Sequence, residues 1–367
     1  MRYYILIACL FIKLYAVAQD KKPLIESASS LISECEWNME NDKTNLVTQL
    51  NVAMWGHLWH GAEWQTNLIS THNMRLSRGK EWSVADDNQV FSNIMLDSQL
   101  PLALSVFGIT QNISERFSVF LGVRNLNVDY FTSPCTALFT NSSDGIFPTL
   151  ADNWHLANYP TSAMCLHLEW NPSPKLTWKN SLYNGASSTQ WNRIFRFAPH
   201  GDGIINVSEI SFHAGDDSLS MSGEYHLGFL YSDTPDENTD NDEANVKGDL
   251  NRKKTNCSVF GLAEQPIYRG KQTYKLLLQG GYSPKRLNDT YGYFGVGLTG
   301  ERLFADDDHA GVQVHRALYS DGGRETDVEM TYCLPMTKNI SVQPALHFIH
   351  TSGNNNVVGL LRVSASF

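Results

Sequence analysis

Apolar and polar residues alternate with period two through most of the chain, in segments of about nine to eleven residues, the length at which a tilted strand crosses a bilayer. The last segment shows it best. Phe367, Ala365, Val363, Leu361, Gly359 and Val357 share one face, and Ser366, Ser364 and Arg362 share the other. Upstream, Ile340, Val342, Pro344, Leu346 and Phe348 oppose Ser341, Gln343 and His347, and Thr326, Val328, Met330, Tyr332 and Leu334 oppose Glu325, Asp327 and Glu329. A charge near the bilayer midplane costs a few kcal/mol, so a strand face bearing three acids must look into water. The same logic sets Phe117, Val119, Leu121 and Val123 against Ser118, Gly122 and Arg124. It also sets Met164, Leu166, Leu168 and Trp170 against Cys165, His167 and Glu169. The pattern predicts an all-β fold, a transmembrane antiparallel β-barrel with an acidic, wet interior.

The connections alternate in length. Breakers mark short turns at 171–175 and 335–339, whereas 130–162, 233–256 and 351–356 read as loops. With Phe367 on the periplasmic side, strands are expected near 357–367, 340–350, 325–334, 311–319, 290–299, 273–282, 257–267 and 221–231. Earlier ones are expected near 203–213, 176–184, 163–170, 117–127, 100–110, 88–97, 63–71 and 46–55. That makes about sixteen, an even number that puts both long loops outside.

The first residues address the compartment. Arg2, an apolar run from Tyr3 to Leu14 and Ala16-Val17-Ala18 before Gln19 read as a signal peptide over 1–18. Residues 19–44 are then expected to form an N-terminal periplasmic segment and 45–367 the barrel. No later stretch is long and apolar enough for a membrane helix, and a formal net charge of -10 argues against nucleic acid. Five cysteines follow the signal, an odd number without close spacing, so buried or lumenal thiols are expected, with one disulfide possible.

Three motifs carry no chemistry on this reading. Gly295-Val296-Gly297-Leu298-Thr299-Gly300 spells a dinucleotide fingerprint, but the polar residues after it cannot form the required helix. His57 and His60, like His347 and His350, are three apart, which on a strand points them to opposite faces. The acid-rich 233–256 run lacks the ligand spacing of a calcium loop. No catalytic residue, metal or cofactor is expected.

The region from Asp321 onward resembles the carbohydrate-selective porins of the OprB type. The likeness lies in Glu325-Thr326-Asp327-Val328-Glu329-Met330-Thr331-Tyr332, Val342-Gln343-Pro344-Ala345-Leu346-His347-Phe348-Ile349, Gly359-Leu360-Leu361-Arg362 and the terminal Phe367. Phe120-Leu121-Gly122-Val123-Arg124-Asn125, Leu138-Phe139-Thr140-Asn141-Ser142-Ser143 and Tyr159-Pro160-Thr161-Ser162-Ala163 resemble the family's long loop and its flanks. The resemblance implies a sixteen-stranded barrel of the bacterial outer membrane with inward-folded outer loops and passive diffusion of small sugars. It also implies recognition of Phe367 by the barrel-assembly machinery; monomer and homotrimer both stay open.

On that reading the pore-lining candidates are Arg124, His167, Glu169, Glu325, Asp327, Glu329, Gln343 and Arg362. Any one of them could instead pair within the wall. The long loop offers Asp129, Trp154 and His155 for a constriction, Trp154 by stacking on a sugar ring or by packing on the wall. Nine Trp and fifteen Tyr suit interfacial girdles. The alternatives are a barrel enzyme such as a lipid hydrolase, and a secreted glycan-binding β-protein.

Overall fold

A computed structural model describes residues 25–74, 85, 100–215, 223–235 and 253–367. Sixteen strands form one closed antiparallel barrel, each bonded to its sequence neighbours, with the first returning to the last. They are β1 (Glu26–Asn38), β2 (Thr44–Trp59), β3 (Ala62–Asn73), β4 (Leu100–Ser114), β5 (Phe117–Arg124) and β6 (Ala163–Ser173). Next come β7 (Leu176–Asn184), β8 (Ile204–Ala214), β9 (Gly223–Pro235), β10 (Lys253–Arg269) and β11 (Thr273–Tyr282). The last five are β12 (Thr290–Glu301), β13 (His309–Tyr319), β14 (Arg324–Pro335), β15 (Ile340–Thr351) and β16 (Asn355–Ser366). Closure leaves no strand edge for lipid to meet, as a bilayer requires.

The count matches the expectation, but one strand differs. The barrel begins at Glu26, not at residue 45, because β1 pairs with both β2 and β16. The expected periplasmic segment over 19–44 is therefore corrected: most of it is wall. Its alternation is muted because the outward Ser29 and Ser33 are polar too, while Glu34, Glu36 and Asn38 point inward and are buried. The strand expected at 88–97 lies outside the described residues, as do the signal peptide and most of the 233–256 loop.

The seam is closed on both levels. The backbones of Ser29 and Phe367 exchange two hydrogen bonds of 2.9 Å. Inside, Glu34 faces Arg362 across the β1–β16 ladder and accepts its Nε–H. Alternation then sorts the faces. Leu361, Val363, Met330, Phe348 and Leu166 are exposed on the outer surface, whereas Arg362, Glu329, His347 and His167 are buried on the inner one. Exposed aromatics stand at both rims: Trp59, Trp170 and Tyr268 beside the short turns, and Trp37, Tyr231 and Tyr282 at the opposite end. That is the girdle arrangement of an outer-membrane barrel.

Val123 faces outward yet is buried, because the 185–203 connection packs Ile194 onto it and onto Leu104. Phe195 of the same connection meets Phe107 edge-on, with ring centroids 5.9 Å apart. The glycine motif at 295–300 lies within β12, as a strand rather than a nucleotide loop.

Two outcomes test this geometry. A nitroxide label at Leu361 should be quenched by lipid-soluble oxygen and one at Ser364 by an aqueous nickel complex; the reverse pattern would contradict the assigned faces. Glu34→Ala strands a buried guanidinium, at a cost on the order of 3 kcal/mol. It should lower the temperature at which the folded gel band converts to the unfolded one, with Glu34→Gln losing less.

Candidate functional site

The connection from β5 to β6, residues 125–162, does not stand outside the barrel. It folds into the lumen and packs on an inner wall that is locally apolar. Phe131, Phe139, Phe147 and Leu150 form one core with Val207, Leu230, Phe260, Leu262 and Leu277 of β8 to β11 and Tyr293 of β12. Phe131 and Phe260 have ring centroids 4.4 Å apart. An apolar patch facing a water-filled channel would be costly, and the loop covers it. Small residues admit the loop: a Cβ built on Gly281 would lie 2.3 Å from Thr149 Oγ1, and one on Gly311 2.7 Å from Phe139 Cζ.

Polar contacts fix the loop along its length. At its tip, Glu329 Oε1 accepts from Thr140 N at 2.7 Å and Thr140 Oγ1 at 2.8 Å, and Glu329 Oε2 accepts from Asn141 N at 3.1 Å. Asp327 Oδ2 accepts from Asn141 Nδ2 at 2.8 Å and lies 3.1 Å from His347 Nδ1, and His347 Nε2 lies 2.9 Å from Thr140 Oγ1. Gln343 donates to the Leu138 carbonyl at 2.6 Å. Farther along, Gln313 donates to Asp144 at 2.9 Å and Ser283 to the Thr149 carbonyl at 2.7 Å. Glu264 accepts from Cys135 N. A buried carboxylate that accepts two or three hydrogen bonds is a strong anchor.

At the loop's start, Asp129 pairs with Arg124, and His167 Nε2 lies 3.7 Å from it. Lys179 donates to the Asp129 carbonyl at 2.7 Å. Burial pushes the Asp129 carboxyl up to about 6, against the pull of Arg124 and Lys179. On the exit leg, Trp154 packs half-buried against the loop's own core, His155 is exposed, and Tyr159 accepts a hydrogen bond from Gln49 of β2.

The residues expected to line the passage thus share the inner face, but in different settings. Asp327, Glu329 and Gln343 grip the loop, and Arg124 and His167 brace its first turn. Arg362 closes the seam with Glu34. Glu325 accepts from Tyr319 Oη at 3.2 Å, and Glu169 accepts from Asn171 at 3.1 Å. Sequence reasoning missed the partners in the loop, chiefly Thr140, Asn141 and Asp144, and the apolar wall beneath it. The apolar residues of β8 and β10 were visible, but nothing in their spacing said that a distant loop would cover them. All five described cysteines are free thiols, and burial pushes the Cys135 thiol up to about 12.

The loop packs chiefly against β6 to β15; on β1 to β4 it meets Gln49 through Tyr159 and the Leu104 carbonyl through Ser162. On the inner face of β1 to β4, Ser30, Asn51, Gln65, Asn67 and Thr110 are half-buried, with Ser30 directly opposite Asn51. Gln65 donates to Thr110 at 3.2 Å.

Solved porin structures share this architecture. OprB of Pseudomonas putida in its high-pH structure superposes with a TM-score of 0.77 at 18% identity, covering 94% of each chain. Its low-pH structure gives 0.60 at 16% identity, over 94% of this chain and 92% of that one. An anion-selective porin from Comamonas acidovorans gives 0.58 at 10% identity, over 94% and 99%. No curated protein matches the sequence. The profile of the carbohydrate-selective porins matches residues 41–367, nearly the whole described barrel. This chain belongs to the carbohydrate-selective porin family OprB, and its function is that of an outer-membrane sugar porin rather than a barrel hydrolase or a secreted glycan-binding protein.

Proposed function

We propose that small sugars diffuse passively through the gap between the in-folded loop and the polar arc of β1 to β4. His155 would stand on the loop side, with Asn51, Gln65 and Thr110 opposite, and the Tyr159–Gln49 contact would bound the gap. The reading rests on one observation: residues 125–162 lie inside the barrel, fixed to the wall by Glu329, Asp327 and Gln343. A porin needs no catalyst. It needs a narrow wet passage whose hydrogen-bonding groups replace part of the solute's hydration and release it again. The half-buried amide and hydroxyl side chains of that arc suit an uncharged polyol.

Arg124, His167, Glu169, Glu325 and Arg362 then set the field around the passage more than they touch the permeant. Asp129 and Trp154 shape the loop, which leaves His155 as the constriction candidate exposed to solvent. Residues 1–18 would direct export and be removed, and Phe367 would be read by the assembly machinery. The support for the latter is a terminal strand that ends in an exposed aromatic at the rim of short turns.

Purified protein in a planar bilayer should give discrete conductance steps whose current falls as glucose or maltose is added. A silent bilayer at high protein dose would sink the pore. Glu329→Ala removes the acceptor of three loop hydrogen bonds, each worth about 1.5–3 kcal/mol when the acceptor is charged. Its open channel should be noisier and more conductive, with sugar block weakened severalfold; block and noise equal to wild type would show that the loop does not set the constriction.

A further inference from the structure

Where the loop meets β13 and β14, three potential metal ligands converge. Asp144 ends the helical turn Ser142–Asp144 of the loop, His315 lies on β13 and Glu329 on β14. One ligand atom from each lies within 4.8 Å of the other two, and all three residues are at least nine-tenths buried. Asp144 Oδ2 and His315 Nε2 are 3.4 Å apart, and neither has a hydrogen-bond partner among the described residues. His315 and Asp327 are direct cross-strand neighbours, and both line a small cavity with Asn141, Ser143, Tyr293 and Glu325.

We propose that this cluster is a divalent transition-metal site, of the kind that takes Zn2+, which ties the constriction loop to the barrel wall. Bonds of about 2.1 Å in a tetrahedron place neighbouring ligand atoms roughly 3.4 Å apart, which is the separation of Asp144 Oδ2 and His315 Nε2. Two carboxylates and one imidazole carry two negative charges, which a divalent ion neutralises where water is scarce. The imidazole favours Zn2+ and its neighbours over Mg2+ or Ca2+, which take oxygen ligands. Tyr293 Oη lies 2.6 Å from His315 Nδ1, the orienting contact that a metal-bound histidine usually has at its other nitrogen. Glu329 Oε1 accepts two hydrogen bonds from Thr140, while Oε2 accepts only one, from Asn141 N, and keeps a lone pair free for a metal. No motif marks this site along the chain, since its ligands stand far apart at 144, 315 and 329.

The test uses untagged full-length protein in detergent, stripped with a chelator and titrated with Zn2+ by calorimetry. The expected result is one Zn2+ per chain, with His315→Ala and Asp144→Asn each weakening binding at least about tenfold while heat-modifiable mobility is kept. Co2+ in place of Zn2+ should give the visible bands of low-coordinate cobalt in wild type and lose them in His315→Ala, a second reading that holds if one variant fails to fold. Stripped wild type that takes up no Zn2+, or variants that bind as wild type does, would overturn the site in favour of a plain His315–Asp144 ion pair. Sugar block of the channel is read separately, so failure here leaves the porin reading standing, and a silent bilayer leaves this site standing.

Discussion

A bilayer core offers no water to an unpaired peptide group, so every strand of this chain needs a hydrogen-bonded neighbour on each side. That requirement makes the β1–β16 seam the contact on which the rest depends. Residues more than three hundred positions apart must meet in register, from Ser30 with Ser366 to Asn38 with Val358. Once they do, a period of two leaves no freedom: a one-residue slip would turn Arg362 to lipid and Leu361 to the lumen. The ion pair of Glu34 and Arg362 sits on the inner side of that seam, where only the correct register brings the two together.

The interior is divided between two surfaces of different character. From β8 to β12 the inner wall is apolar enough to need a cover, and the 125–162 loop supplies it with Phe131, Phe139, Phe147 and Leu150. The acids of β14 take no part in that packing. Glu329 and Asp327 accept from the backbone and side chains of Thr140 and Asn141, satisfying donors that would otherwise be buried unpaired. Hydrophobic contact thus gives the loop its adhesion, and the carboxylates give it its position.

This division alters the meaning of the charged inner residues. On an open lumen, Glu325, Asp327 and Glu329 would impose a strong negative field on the permeant. Here all three are buried, and two of them are spent on the loop. Asp327 and Glu329 hold the loop in place rather than stand free in the lumen. Arg124 acts in the same way at the other end of the loop, by fixing Asp129.

The chain alone determined the architecture. Alternation in β5, β6, β14, β15 and β16 assigned inside and outside correctly, since a strand that shows lipid to one side and water to the other records both solvents in its sequence. The alternation of short and long connections was legible for the same local reason from β4 onward, but not before it, where β3 pairs directly with β4. β1 was not, because its outward serines blur the alternation, and only pairing with β16 makes it wall. The candidate site was half legible. That Glu329, Asp327, Gln343, His167 and Arg124 face inward follows from period two, but what each one touches does not. Thr140 and Asn141 reach Glu329 and Asp327 across nearly two hundred residues of chain, through a loop that packs on the apolar patch of β8 to β12. Local pattern records which solvent a residue prefers; which distant segment takes that solvent's place is decided only when the barrel closes.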